Sequence, residues 1–192
     1  EEFLELLNIE NDEDLEKLEE LAKSPKVVAI GEIGLDYYYE HSPREVQRIW
    51  FNKQMKLAKK LGMPIIVHSR DAAKETYDMI KESGLNKGVI HCYSGSSQMA
   101  KDYIKLGFYI GIGGTVTFKN ARKTVEVVNE IPLSSILLET DCPYLTPVPH
   151  RGKRNDSKYL SYIAKKIADI KGISEEEVVK ITTQNSKNLY NL

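Results

Sequence analysis

Five short apolar runs, each followed by a stretch with helical periodicity, constrain this chain more than any other feature. The runs are "VVAIGEIGLD" (27–36), "PIIVHSR" (64–70), "GVIHCYSG" (88–95), "FYIGIGG" (108–114) and "SILLETD" (135–141). Each reads as a strand, nearly continuous in apolar residues as strands buried on both faces are. Strands alternating with helices imply βαβ units and a parallel sheet.

The helices carry start and stop signals. Asn11 is placed to cap a first helix with Leu15, Leu18, Leu21 and Ala22 on one face, ended by Ser24-Pro25. Ser42-Pro43-Arg44-Glu45 reads as a capping box with proline at the first helical position. Val46, Ile49, Trp50, Leu57 and Leu61 form the stripe behind it, and Gly62 is the stop. Asp71 is the expected cap of a helix closed by Gly84. Helices are expected from about Ser96 to Leu106, Asn120 to Ile131 and Lys158 to Lys171, then from Ser174, where Glu177 completes a second capping box.

Length and composition set the outer limits. The 192 residues suit one domain, and 41% hydrophobic content is enough for a core. There is no linker, low-complexity segment or strong repeat. No apolar run approaches the ~18 residues of a membrane span. The two cysteines do not form a disulfide framework, so a reducing, cytoplasmic setting is expected. Residues 1–20 carry a charge of −9 and the rest +8, giving the total of −1. That basic remainder favours an anionic partner, although lysines on an ordinary surface account for it equally. The chain opens without methionine, inside a helical pattern, and a fragment of a longer protein is expected.

The chemistry lies in where the polar residues fall. Four of the five strands end in a potential metal ligand: Glu32, His68, His91 and Asp141. In parallel β/α architectures the C-terminal strand ends build the active site. Two imidazoles and two carboxylates there suit a divalent cation. Any one of them alone would read as a hydrogen-bonded core residue or a helix cap. Cys92 and Cys142 each follow a candidate ligand, so strand alternation turns them away to pack as small apolar residues. By the same alternation Glu139 points away from the site. Gly113-Gly114 is expected to let backbone pass close by. The dinucleotide fingerprint, the P-loop and the GxSxG elbow are all absent. Lys119, Arg122 and Lys123, and "HRGKR" (150–154), place positive charge near the same face, where barrel enzymes often bind phosphate.

"AIGEIGLDYY", "PIIVHSR", "IHCYSG" and "LLETDCPYLTPVPHRGKRN" closely resemble, in order, the signature stretches of the TatD family of metal-dependent deoxyribonucleases. The resemblance covers about residues 12–192. It implies an α/β fold, a TIM-like (β/α) barrel of the amidohydrolase type, of which strands four to eight are expected here. It also implies two divalent ions (Zn, Mn or Mg) and a DNA substrate, single-stranded or at frayed ends. Glu32 becomes the carboxylate bridging the metals, and His68 and His91 ligate one of them. Asp141 touches the other metal and serves as the catalytic group that orients water. Arg151, with His150, Arg70 and Arg154, contacts substrate phosphate. Two departures stand out. Asn155-Asp156-Ser157 replaces the family's usual Asn-Glu-Pro, and no His-x-His pair occurs among the four histidines. The chain is therefore expected to lack the first three β/α units and to hold one metal weakly. A homo-oligomer covering an open barrel edge is the corollary. Two alternatives remain open: an amidohydrolase or deacylase acting on a small ester, an amide or aminoacyl-tRNA, and an inactive partial chain.

Overall fold

The computed structural model describes residues 12–192. They form two compact units, one ending at Leu85 and the other running from Asn86 to Leu192. The expected Asn11 cap lies outside the described residues. The order of elements is the strand–helix alternation expected of a TIM-like α/β fold, with five strands among the described residues. No helix of those residues is long and apolar enough to cross a membrane.

In the first unit, α1 (Glu13–Ala22) precedes β1 (Ile30–Asp36), α2 (Arg44–Leu61), β2 (Ile65–Arg70) and α3 (Ala73–Ser83). Helix α2 buries Phe51, Met55 and Ala58, an i, i+4, i+7 row, together with Leu57. This row, rather than Val46, Ile49, Trp50 and Leu61, is the buried face. Ion pairs from Lys53 to Asp12 and from Lys60 to Glu19, both 2.6 Å, tie α1 to it. Leu21 is 65% exposed, contrary to expectation, because the i+4 row from Leu18 turns Ala22 inward instead.

Two expected caps are corrected. Helix α2 begins only at Arg44, with extended Pro43 as its N-cap residue, so Ser42 stands one position too early. The Ser42 carbonyl accepts from Gln47 Nε2 at 2.8 Å, and Glu45 pairs with Arg48 at 2.8 Å. Asp71 adopts a positive φ of 52°, and Ala72 takes the N-cap position of α3 without a side-chain bond. The Gly62 and Gly84 stops are both left-handed C-caps, as the sequence signals.

β1 and β2 pair in parallel, with Ile33 beside Val67, Gly34 beside His68 and Asp36 beside Arg70. The register shifts between Ile30 and Ile33, around Glu32. Gly34 is required here: its φ is +140°, and a Cβ would stand 2.0 Å from the His68 carbonyl oxygen. Past the shift, Ile33 and Leu35 are buried while Glu32, Gly34 and Asp36 share the other face. These two strands thus alternate, where a run buried on both faces was expected.

In the second unit β3 (Gly88–Ile90), β4 (Phe108–Ile112) and β5 (Ile136–Leu138) pair in parallel in that order. They are buried almost throughout, as the sequence predicts. Helices α4 (Ser97–Lys105), α5 (Arg122–Glu130), α6 (Leu160–Lys171) and α7 (Glu175–Tyr190) complete the unit. Ser96 caps α4 through the Met99 N–H at 3.2 Å, and Ser174 caps α7 through Glu177 N–H at 3.1 Å. Buried Asn185 on α7 donates to the Leu133 and Ile136 carbonyls, at 2.9 and 2.8 Å, pinning the entry to β5. Asp156 accepts from Lys158 N–H at 3.0 Å, so Asp156-Ser157 still caps the 3₁₀ turn ahead of α6. The strands are shorter than expected at their C-terminal ends: His91, Glu139 and Asp141 all lie beyond the last paired residue.

The Gly34 contact makes a differential prediction. Gly34→Ala is expected to destabilise by more than ~2 kcal/mol, because strain and a backbone clash add. Gly62→Ala, with φ +67° and open space around it, should cost only ~1 kcal/mol. Urea unfolding midpoints of the two variants check this, and equal losses would show that the close approach at His68 is not a constraint.

Candidate metal centre

The first unit brings Glu32, Asp36 and His68 together. Gly34 pairs with His68 across the two strands. The flanking carboxylates reach the imidazole: Asp36 Oδ2 lies 3.0 Å from His68 Nε2, and Glu32 Oε2 lies 3.9 Å from His68 Nδ1. Burial pushes the Asp36 carboxyl upward. Hydrogen bonds from the Tyr39 N–H, the His68 ring and the Tyr38 N–H outweigh that and hold it below the usual carboxylate range. Asp36 therefore stays ionised and fixes the ring orientation and tautomer of His68.

The second unit brings His91, Glu139 and Asp141 together. His91 Nδ1 is 2.7 Å from Glu139 Oε2, and its Nε2 is 3.3 Å from Asp141 Oδ1. The other Glu139 oxygen accepts the Cys92 N–H at 2.6 Å. Gly111 leaves the space for this carboxylate, since a Cβ there would stand 2.5 Å from Glu139 Oε2. The expectation that Glu139 points away is overturned. β5 ends at Leu138, so strand alternation no longer sets the direction of residue 139. The expected close approach at the glycine pair occurs at Gly114, where a Cβ would meet the Leu145 carbonyl at 2.3 Å. Cys142 does not pack as expected: it is exposed and donates to Thr140 Oγ1, whereas Cys92 is half-buried.

The donor chemistry suits a divalent cation. Two cation ligands ~2.0–2.2 Å from one tetrahedral centre stand roughly 3.4 Å apart, and His91 Nε2 and Asp141 Oδ1 are separated by 3.3 Å. The carboxylate on the opposite ring nitrogen is the support that metal-bound histidines usually have. Each cluster offers an imidazole–carboxylate pair. Among the described residues no three His, Cys, Asp or Glu side chains are placed to hold a cation by themselves.

The loop after β5 is held by its own polar groups. Buried Asn155 donates to the Tyr144 carbonyl at 2.6 Å through Nδ2, its N–H reaches the Pro143 carbonyl at 2.9 Å, and Thr146 Oγ1 donates to the Lys153 carbonyl. Arg151 lies 4.0 Å over the Phe118 ring and donates to the Thr146 carbonyl at 3.4 Å. Its face is used while most of its edge donors point into solvent. His150 stacks on Tyr159 at 4.6 Å, with its Nε2 2.9 Å from the Tyr162 hydroxyl. Arg154 is exposed. Arg70 stands 4.0 Å over Tyr38, its guanidinium face on a ring.

Asp36 and Glu139 are the two residues that the sequence reading missed. The period-2 spacing Glu32–Gly34–Asp36 contained the signal for the first. For the second, the trace was Gly111 on the neighbouring strand.

Comparison with known proteins gives the family. The family model described as TatD related DNase matches residues 5–191. The metal-dependent hydrolase YabD of Bacillus subtilis is 48% identical over 94% of this chain and 72% of its own length. The metal-dependent hydrolase YcfH of Escherichia coli K12 is 39% identical over 97% of this chain and 71% of its own. The crystal structure of the TatD homologue YjjV from the same organism superposes with a TM-score of 0.89 at 34% identity, covering 95% of this chain and 71% of that one. The chain belongs to the family of TatD-related DNases.

Proposed function

We propose that this chain is a metal-dependent hydrolase of phosphodiester bonds in DNA, acting on single strands or frayed ends. The observation that carries the proposal is His91, held between the carboxylates of Glu139 and Asp141. One oxygen donor orients the ring and the other lies at the distance of a fellow ligand. The relatives' names, metal-dependent hydrolases, support the metal and the reaction class. The DNA substrate rests on the family description and on the basic, aromatic loop that follows Asp141.

In this reading the 3.3 Å separation puts His91 and Asp141 on one cation, where the resemblance implies separate ones, and Glu32 and His68 offer a second pair within the first unit. A bound divalent ion supplies Lewis acidity to the phosphoryl group and to water. The protein's own groups do the rest. Glu139 keeps the His91 ring in place, and Asp36 does so for His68. Asp141, whose side chain is 38% exposed, accepts the proton of the attacking water as the phosphorus–oxygen bond to the leaving alcohol breaks. Arg151 offers its remaining edge N–H groups to a phosphate, its face already supported by Phe118.

Hydrolysis of an end-labelled single-stranded oligonucleotide in Mn²⁺, with the products resolved by length, tests the proposal directly. Asp141→Asn is expected to slow it about 10²-fold at saturating Mn²⁺, with the melting temperature unchanged. Full activity in that variant would remove Asp141 from proton transfer. Arg151→Ala should weaken binding of every sequence alike and reduce the salt dependence of log K by about one unit of slope. An unchanged slope would leave Arg151 outside the phosphate contact.

A further inference from the structure

Residues 36–41 run from the Asp36 carboxylate into Tyr38, Tyr39 and His41, and their backbone is tied down along its length. Asp36 Oδ1 accepts the N–H groups of Tyr38 and Tyr39, at 3.0 and 2.9 Å. Gln47 accepts the Asp36 N–H at 2.8 Å and donates to the carbonyls of Asp36 and Ser42, at 3.0 and 2.8 Å. The Tyr37 N–H reaches the Arg70 carbonyl at 2.9 Å, and its hydroxyl donates to Glu75 at 2.7 Å. Arg44 pairs with Glu40 across the same turn.

What this scaffold presents is aromatic and lies in solvent. Tyr38 is 58% exposed and Tyr39 55%. Their rings lie 4.9 Å apart at 85°, and Tyr39 is nearly parallel to His41, with centroids 5.4 Å apart and planes at 7°. The Arg70 guanidinium stands 4.0 Å over Tyr38 and 4.7 Å over Tyr39, holding the pair by cation–π contact. A turn that only joined β1 to α2 would not need two large rings fixed in water. Aromatic faces set on a rigid backbone and braced by a guanidinium are what a nucleobase stacks on.

We propose that Tyr38 and Tyr39, oriented by Arg70, form a stacking platform for an unpaired nucleobase of the strand being cleaved. The inference rests on the DNA reading given above and specifies which form of DNA is taken. A base inside a duplex has both faces covered by its neighbours, so the rings take a base at a strand end or in a single strand. The platform is coupled to the chemistry through one carboxylate, since Asp36 Oδ2 contacts His68 while Oδ1 holds the two tyrosine amides. Arg70 positions the rings with its face, and its edge N–H groups stay compatible with the phosphate contact expected from sequence.

The test measures binding of two fluorescent, phosphorothioate-linked strands of equal length, an oligothymidylate and its abasic counterpart, to the whole chain in Mn²⁺. Wild type is expected to bind the base-bearing strand about tenfold or more tighter than the abasic one. Tyr38→Leu/Tyr39→Leu should abolish that preference while binding the abasic strand as wild type does. Both substitutions keep the backbone N–H groups that Asp36 accepts, and an unchanged melting temperature confirms the fold. Tyr38→Phe/Tyr39→Phe, which retains the rings, should restore the preference. If wild type prefers the base-bearing strand and the leucine variant does so equally, the platform is wrong and the DNA reading stands. If wild type binds neither strand, the DNA reading fails and the platform with it.

Discussion

The candidate chemistry of this protein depends on a hydrogen bond between an imidazole and a carboxylate that has no other freedom. Glu139 lies 2.7 Å from His91 Nδ1 with one oxygen and takes the Cys92 N–H with the other. A side chain at position 111 would occupy its place. With Nδ1 committed, the orientation of Nε2 toward Asp141 follows. The first unit pairs the same groups with different residues: Asp36 fixes His68, and Gly34 lets its strand approach the His68 backbone. In both units a histidine is aimed by a carboxylate, and a glycine stands close by on the adjacent strand.

Such an arrangement trades stability for position. Carboxylates drawn out of water must be repaid by donors, and here the donors are backbone N–H groups and imidazoles rather than lysines or arginines. Asp36, held below the usual carboxylate range by such donors, keeps its charge beside His68. The loop after β5 follows the same economy of local bonds. Asn155, itself buried, closes the loop onto Pro143 and Tyr144, so Arg151 and His150 are presented from a fixed backbone.

Strand and helix identity was legible because periodicity and stop signals are local. The left-handed glycines 62 and 84, the Ser96 and Ser174 caps and the apolar run of β4 depend only on near neighbours. The differences came where the exact start or end of an element, or its rotation, decides which neighbour faces inward. Ser42 lost its capping role to a proline and to Gln47. Leu21 faces solvent because Ala22 took the inward row. Glu139 was assigned by alternation to the wrong side because its strand stops one residue earlier. Of the four candidate ligands expected at strand ends, His91 and Asp141 do lie beyond β3 and β5, but Glu32 is the third of seven residues in β1 and His68 stands two residues before the end of β2. Arg70 was readable as a cation, but only the structure shows its guanidinium lying on tyrosine rings.

The central claim is that Glu139 exists to hold His91 as a metal ligand. Titration calorimetry of Mn²⁺ into the wild-type chain and into Glu139→Gln tests it most directly, because glutamine keeps the size of the side chain and removes its charge. The account predicts a ten- to hundredfold loss of affinity with little change in melting temperature. Equal affinity in the two proteins would contradict it and return Glu139 to the role of a buried structural hydrogen-bond acceptor.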